Sequence, residues 1–465
     1  MAKWILLILS VSLLEVRTNF EPEENYCAFS TTAKGLELNC THANIHYFQN
    51  LRTPFNKTYK ISCDDCFLNV LDEYSFNVPR RNNVSVLNLH SARIRVLKKF
   101  AFKKFYMLKV LNLRNNSVNV LDPLCFYGAK RLIQLDLSNN EMQILTNNLF
   151  LDLENLDLLN LNFNQIYNVQ PEAFAGLANL KYLYLSDNEL TRLEENVFRH
   201  LIRLKILHLE RNRIVEIHQN AFANLRSLNF LYMNNNSITY LVQYNFKPLT
   251  SLLDLQLMYN NLTEIQTSTF NGMKNLKALH LAVNKISLIR RYGFVGLDSL
   301  EMLDLSYNQL KFVWYFDYFS NLENLRYLFL RKNYLSEFLL NLKYEIQSSL
   351  SVLDISHNEL DSFSLKLFYS FPKLVEIFVE SNPWDCDFFT GLLVDFDKRN
   401  VSVCCSSDCN RNSTEQYAEK ICYKSTATDT ESDDEADSDF VTDCSVIVYP
   451  RALLLTIALI SAMCL

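Results

Sequence analysis

The sequence predicts an α/β solenoid, a horseshoe of stacked repeats with a parallel sheet on its concave face. Three observations carry that fold class. Asparagines recur every 24 residues at Asn116, Asn140, Asn164, Asn188, Asn212, Asn236, Asn260, Asn284 and Asn308, then continue as Asn333, Asn358 and Asn382. Before them stands the spacing L-x-x-L-x-L, as in Leu108, Leu111 and Leu113, or Leu132, Leu135 and Leu137. Ten residues after each early asparagine position comes a phenylalanine: Phe102, Phe126, Phe150, Phe174, Phe198, Phe222, Phe246, Phe270 and Phe294. A register held this long marks a repeat array, in which each unit needs its neighbours to bury a core.

Each element follows from the unit. Alternate residues of a strand face opposite ways, so L-x-L turns its leucines inward and its x residues outward. The asparagine bonds backbone groups where the chain leaves the strand. The phenylalanines stack in the core on the convex side. Degenerate copies precede the regular ones, with Val84, Leu87, Leu89 and Ala92, and before them Ile61, Cys63, Cys66 and Leu68. About 13 repeats of 24–25 residues fill residues 58–385. Thirteen strands about 4.8 Å apart make an arc of roughly 60 Å. On these motifs the chain closely resembles the leucine-rich repeat family, and the phenylalanine column resembles that of its extracellular members.

Composition narrows the function. Of 465 residues, 49% are hydrophobic and 21% charged, which excludes wholesale disorder. With only 7 glycines and neither GxGxxG nor GxxxxGK[ST], nucleotide binding is not expected. A net charge of −6 gives no sign of a nucleic-acid surface. GxSxG, HExxH and EF-hand loops are missing, so neither an enzyme nor a cofactor is expected. His90, His208 and His280 fall in non-adjacent repeats, as do the outward carboxylates Asp136, Asp254, Asp304 and Asp354, so no metal site is expected.

The ends carry targeting and capping signals. Residues 1–18, with Lys3 before the apolar run Trp4–Leu14, read as a signal peptide. Residues 19–57 form an N-terminal cysteine cap holding Cys27 and Cys40, and Cys63 and Cys66 fall in the first repeat. These four are expected in disulfides with partners undecided. The spacing of Cys63 and Cys66 lacks the context of a redox motif. Residues 386–423 form a C-terminal cap with Cys386, Cys404, Cys405, Cys409 and Cys422, an odd number. One of them is left for Cys444, a second chain or a free thiol, which raises a disulfide-linked dimer. Residues 424–445 are a Ser/Thr-rich, acidic stalk. Residues 446–465 end in 14 uncharged, mostly apolar residues and read as a glycolipid-anchor signal or a membrane tail. Sequons stand at Asn39, Asn56, Asn83, Asn115, Asn235, Asn261, Asn400 and Asn412. The protein is therefore expected on the outer face of the plasma membrane or secreted.

Most outward x positions are small or polar, such as Gln134, Asp136, Ser138, Ser306 and Ser356. Two regions differ. One has Tyr182, Tyr184, His208, Phe230 and Tyr232, with Met258 and Tyr259 beyond. The other has Tyr327, Phe329 and Arg331, then Phe378. Aromatic, Met and Arg enrichment marks protein interfaces, so both are candidate partner-binding surfaces. The adjacent pair Cys404–Cys405 behind the repeats resembles the mosquito leucine-rich immune proteins. That resemblance implies pathogen recognition in complement-like defence. The coiled coil typical of those proteins is missing from residues 387–445, which puts their heterodimer assembly in doubt. The sequence reading is thus an immune recognition or scaffold protein, with tissue adhesion as its alternative.

Overall fold

A computed structural model describes residues 26–50, 56–77, 79, 82–312, 319, 322–336, 349–362 and 371–404. It separates into two compact units, residues 1–238 with 244–252, and residues 239–243 with 253–465. The expected signal peptide, stalk and apolar tail lie outside the described residues.

The first unit opens with an antiparallel hairpin, Tyr26–Thr32 and Gly35–Thr41, in which Cys27 faces Cys40 and bonds to it. Strand Thr58–Asp64 then pairs in parallel with Gly35–Thr41 and with Val86–Asn88. Cys63 bonds to Cys66 across the turn that ends this strand. The four cysteines are thus paired in chain order, a choice their spacing left open. Parallel three-residue strands follow once per repeat from Val86–Asn88 to Phe230–Tyr232, in unshifted register.

The asparagines explain that register. Asn188 Nδ2 donates to the carbonyls of Leu161 (3.0 Å), Leu185 (3.1 Å) and Ser186 (3.2 Å), while its Oδ1 accepts the Ile166 amide at 3.0 Å. Each such side chain therefore staples its own repeat to the one before. The carbonyls are shared as well: Leu161 O also accepts from Asn164 Nδ2 at 3.0 Å. The residue before each asparagine turns through the left-handed region, among them Asn115, Phe163, Asp187, Arg211 and Asn235 (φ 50–56°).

Behind the sheet, Phe102, Phe126, Phe150, Phe174, Phe198, Phe222 and Phe246 form the expected column. Their centroids lie 5.8–6.5 Å apart with planes within 22° of parallel. Each ring in the column is almost wholly buried. Two residues beyond the ring, Gly128 and Gly176 adopt positive φ; a Cβ on Gly176 would meet Leu151 O at 2.2 Å. Asn245 takes the place that Ala, Val or Leu holds before most other rings. It is buried, and its amide bonds the carbonyls of Ile217 (3.2 Å) and His218 (3.4 Å).

The second unit repeats the plan from Asp254–Gln256 to Glu376–Phe378. Its ring column runs from Phe270 to Phe294 and on to Phe319, stacked at 5.8 Å. Phe319 stands 25 residues after Phe294, which absorbs the lengthened repeat and hid it from a fixed ten-residue rule. At the end, Asp385 caps helix Cys386–Lys398 by accepting the Phe388 amide. Phe389, Leu392, Leu393 and Phe396 form its buried face, spaced as one side of a helix. Trp384 Nε1 donates to Val379 O at 2.8 Å, and strand Ser402–Cys404 pairs in parallel with Glu376–Phe378. Cys405, Cys409 and Cys422 lie outside the described residues.

Candidate ligand-binding face

In the first unit the outward positions form two rows. Strand pairing sets Leu158, Tyr182, Ile206 and Phe230 side by side, and sets Asn160, Tyr184, His208 and Tyr232 beside them. Tyr184, His208 and Tyr232 make a continuous ladder. The His208 ring lies 4.8 Å from Tyr184 at 15° and 4.6 Å from Tyr232 at 29°. All three are half-buried, as are Tyr182, Leu158 and Ile206. Sequence reading passed over Leu158 and Ile206 because aliphatic residues in a strand look like core. Their odd place in the alternation was the available signal.

The imidazole is fixed in its plane. His208 Nδ1 lies 2.9 Å and 3.2 Å from the two Glu210 oxygens, and Ser186 Oγ donates to Glu210 Oε2 at 2.6 Å. Burial raises the Glu210 carboxyl, but the His208 bond and charge together with the Ser186 bond outweigh it and hold the group below its ordinary range. Burial, and then Tyr182, push the Tyr184 phenol upward, so it stays a hydrogen-bond donor at neutral pH. Because the rings cover each other's faces, the ladder shows a partner its edges, which are electropositive.

Phe230 departs from expectation. It occupies an outward position but is only 2% exposed, flanked in register by Ile206 and stacked on Tyr232 at 6.3 Å. It packs against the Tyr232 end of the ladder and is itself covered, so it offers a partner almost no surface. Met258 and Tyr259 belong to the second unit. Both are half-buried, and Tyr259 sits on the left-handed turn (φ 55°), off the strand rows. Of the polar stretch, Gln134 is exposed, whereas Ser138 is buried and bonded to Asp136 at 2.6 Å.

The second candidate region is corrected more deeply. Phe329 is 8% exposed and packs with Ala278, Met302 and Val352, with Tyr327 and Phe378 against them. The carboxylates expected to face solvent are buried too: Asp254, Asp304 and Asp354, with His280 between the first two. Burial raises the Asp254 and Asp304 carboxyls. Asp354 is pushed up to about 6 by burial, against bonds from Ser356 and the charge of Arg331. Arg331 Nη1 reaches Glu380 at 2.8 Å and Ser356 Oγ at 3.4 Å. Burial works against its charge, and Asp354, Tyr307 and Glu380 outweigh that cost. Arg331 thus serves an internal network, and the apolar members of this region pack on one another.

Among the described residues no group of three His, Cys, Asp or Glu could hold a metal ion, and no helix is long and apolar enough to cross a membrane. Six sequon asparagines are exposed: Asn39, Asn56, Asn83, Asn115, Asn235 and Asn400. Asn261 is half-buried and Asn412 lies outside the described residues.

Comparison with known proteins agrees with this geometry. The family described as "Leucine rich repeat" matches residues 82–142, 108–166, 154–210, 202–262 and 250–310. No curated protein sequence gives a significant match. A leucine-rich repeat protein of Leptospira interrogans superposes with a TM-score of 0.60 at 24% identity, over 79% of this chain and 89% of that one. The Drosophila Toll–Spätzle complex gives 0.56 at 18% identity, over 84% of this chain and 72% of that one. The LRIM1/APL1C complex gives 0.50 at 20% identity, over 70% and 62%. Identities this low speak to fold alone. Asparagine-stapled repeats, a parallel sheet, a stacked phenylalanine column and five overlapping family matches have one meaning: residues 82–310 are leucine-rich repeats, and the sheet they build has the leucine-rich repeat fold.

Proposed function

We propose that this protein is an extracellular binding protein of innate immune recognition. It engages a protein partner through the outward face of its first unit. The observation that carries the reading is the Tyr184–His208–Tyr232 ladder with its apolar neighbours Leu158, Tyr182 and Ile206. It is half-exposed, rigid and rich in the residue types that dominate interface energetics. Rigid rings lose little entropy on binding, which favours affinity. The bonded pairs Cys27–Cys40 and Cys63–Cys66 support an oxidising, extracellular setting. The immune role rests on the resemblance of Cys404–Cys405 to the mosquito leucine-rich immune proteins. The Toll–Spätzle complex, whose own description places it in innate immunity, is a neighbour in fold. Membrane attachment through residues 446–465, and a second chain joined through the odd cap cysteine, complete the proposal.

Cells displaying the full chain, exposed to body fluid of the source organism before and after infection, provide the test. Any captured partner is measured against wild type, Tyr184→Ala/Tyr232→Ala and Gln134→Ala. The ladder variant should lose about 30-fold or more in affinity, the scale of a ~2 kcal/mol hot spot. Gln134→Ala should bind as wild type does. Equal loss from both variants, or loss from neither, would refute the ladder as the site.

A further inference from the structure

Two sequons share one structural position. Asn115 and Asn235 each stand immediately before a ladder asparagine, Asn116 and Asn236, with Ser117 and Ser237 next. Both adopt φ 55° and both are exposed. Their repeats are five strand steps apart through a register that never slips. The two side chains therefore leave the same rim, the one at the carboxyl ends of the strands, about 24 Å apart. Their ladder neighbours cannot take their place. Asn236 is buried and bonded to three carbonyls, and Asn116 makes the same set of bonds.

Between the two positions the same rim holds Asn139, Phe163, Asp187 and Arg211, none in a sequon. Phe163 is 50% exposed, and Arg211 pairs with Asp187 at 2.6 Å and 2.8 Å. These residues turn out of the repeats that lie between the two sequons. Tyr184 and His208 lie in those repeats, and Tyr232 lies in the repeat of Asn235 itself.

We propose that Asn115 and Asn235 carry N-linked oligosaccharides that fence both ends of the aromatic window, leaving the rim between them as the side from which a protein approaches. The fence rests on the ladder reading above; the modification does not. In the transfer, the asparagine Nδ2 forms a bond to the anomeric carbon of a polyprenyl-diphosphate-linked oligosaccharide. The bond from that carbon to the diphosphate oxygen breaks, the diphosphate leaves with its electron pair, and the amide gives up one proton. The amides of Ser117 and Ser237 are already tied to the carbonyls of Ile94 and Ile214, both at 2.9 Å. The turn is therefore locked once folded, and transfer precedes folding of these repeats. The left-handed position leaves both side chains exposed on the finished rim; Asn115 Nδ2 donates to Ser91 Oγ at 2.8 Å there, a bond that the one N–H kept after transfer can still make.

The full chain secreted or displayed by eukaryotic cells is treated with peptide N-glycosidase in ¹⁸O-water and mapped by mass spectrometry. Peptides holding positions 115 and 235 should both read as ¹⁸O-labelled aspartate. Ser117→Ala and Ser237→Ala should each remove one label while keeping the asparagine. Recovery of either wild-type peptide as plain asparagine overturns the modification. The fence is tested with single-domain antibodies raised on the Ser117→Ala/Ser237→Ala protein. Binders that fail on Tyr184→Ala should bind the glycosylated protein equally well. Binders that fail on Arg114→Ala should weaken about tenfold or more on it, a change of ~1.4 kcal/mol. If both sugars are present and ladder-directed binders are blocked as well, the fence is wrong. That result leaves the partner test of the ladder variants standing on its own.

Discussion

Removing a ladder asparagine measures how neighbouring repeats are joined. In Asn188→Ala, four bonds of 3.0–3.2 Å disappear. The consequences differ by atom. Leu161 O keeps the Asn164 donor, and Leu185 O keeps Asn212 at 2.9 Å. Ser186 O keeps the Phe163 amide at 3.1 Å. The Ile166 amide, inside a fully buried residue, loses its acceptor. One orphaned buried donor costs about 1–3 kcal/mol, and the lost bonds add about 1 kcal/mol. A single substitution should therefore cost roughly 3 kcal/mol. Asn164→Ala with Asn188→Ala is different, because Leu161 O then loses both side-chain donors. The pair should cost more than the sum of its parts by about 1–3 kcal/mol. Asn140→Ala with Asn236→Ala shares no carbonyl and should add simply. Repeat arrays need not unfold in one step, so the readout is hydrogen exchange of the repeat peptides, with denaturant midpoints as support. Additive costs for the adjacent pair, within about 0.5 kcal/mol, would refute the shared-carbonyl staple.

Two further outcomes follow from single residues. Asp354 is held at about 6, above the ordinary ~3.9 of aspartate. A raised carboxyl favours the folded state fully below the ordinary value, and that advantage is lost as pH rises to about 6. Asp354→Asn should therefore stabilise the second unit by about 1–3 kcal/mol at pH 7 and by little at pH 4. A pH-independent effect in thermal melts would contradict the assignment. Val283 holds the left-handed turn at φ 53°, where a β-branched residue is strained by roughly 1–2 kcal/mol. Val283→Asn should raise stability by about 1 kcal/mol, and a loss in chemical denaturation would show that its side-chain packing outweighs the strain.

Much of the array can be read from residues because a stacked repeat states its geometry many times. Asn188 and Phe174 need no knowledge of distant chain; their register alone places one in the staple and the other in the column. The same logic places Tyr184, His208 and Tyr232 side by side. It fails where direction and coverage part company. Alternation aims Phe230, Phe329, Asp304 and Asp354 outward correctly, yet says nothing of what surrounds them, and all four are buried. Phe319 escaped because an inserted residue shifts the interval while leaving the stack intact. The Cys63–Cys66 bond was open because four nearby cysteines admit three pairings. Glu210 carried no motif; only its bonds to His208 and Ser186 reveal its part in the ladder.

The central claim is that one face of the first unit binds a protein. Hydrogen exchange of the full chain, with and without a captured partner, tests it most directly. The account expects added protection over Leu158–Asn160, Tyr182–Tyr184, Ile206–His208 and the turns that follow them, with the Phe174–Phe222 side behind the sheet unchanged. Protection confined to the side behind the sheet, or to the second unit, would contradict it.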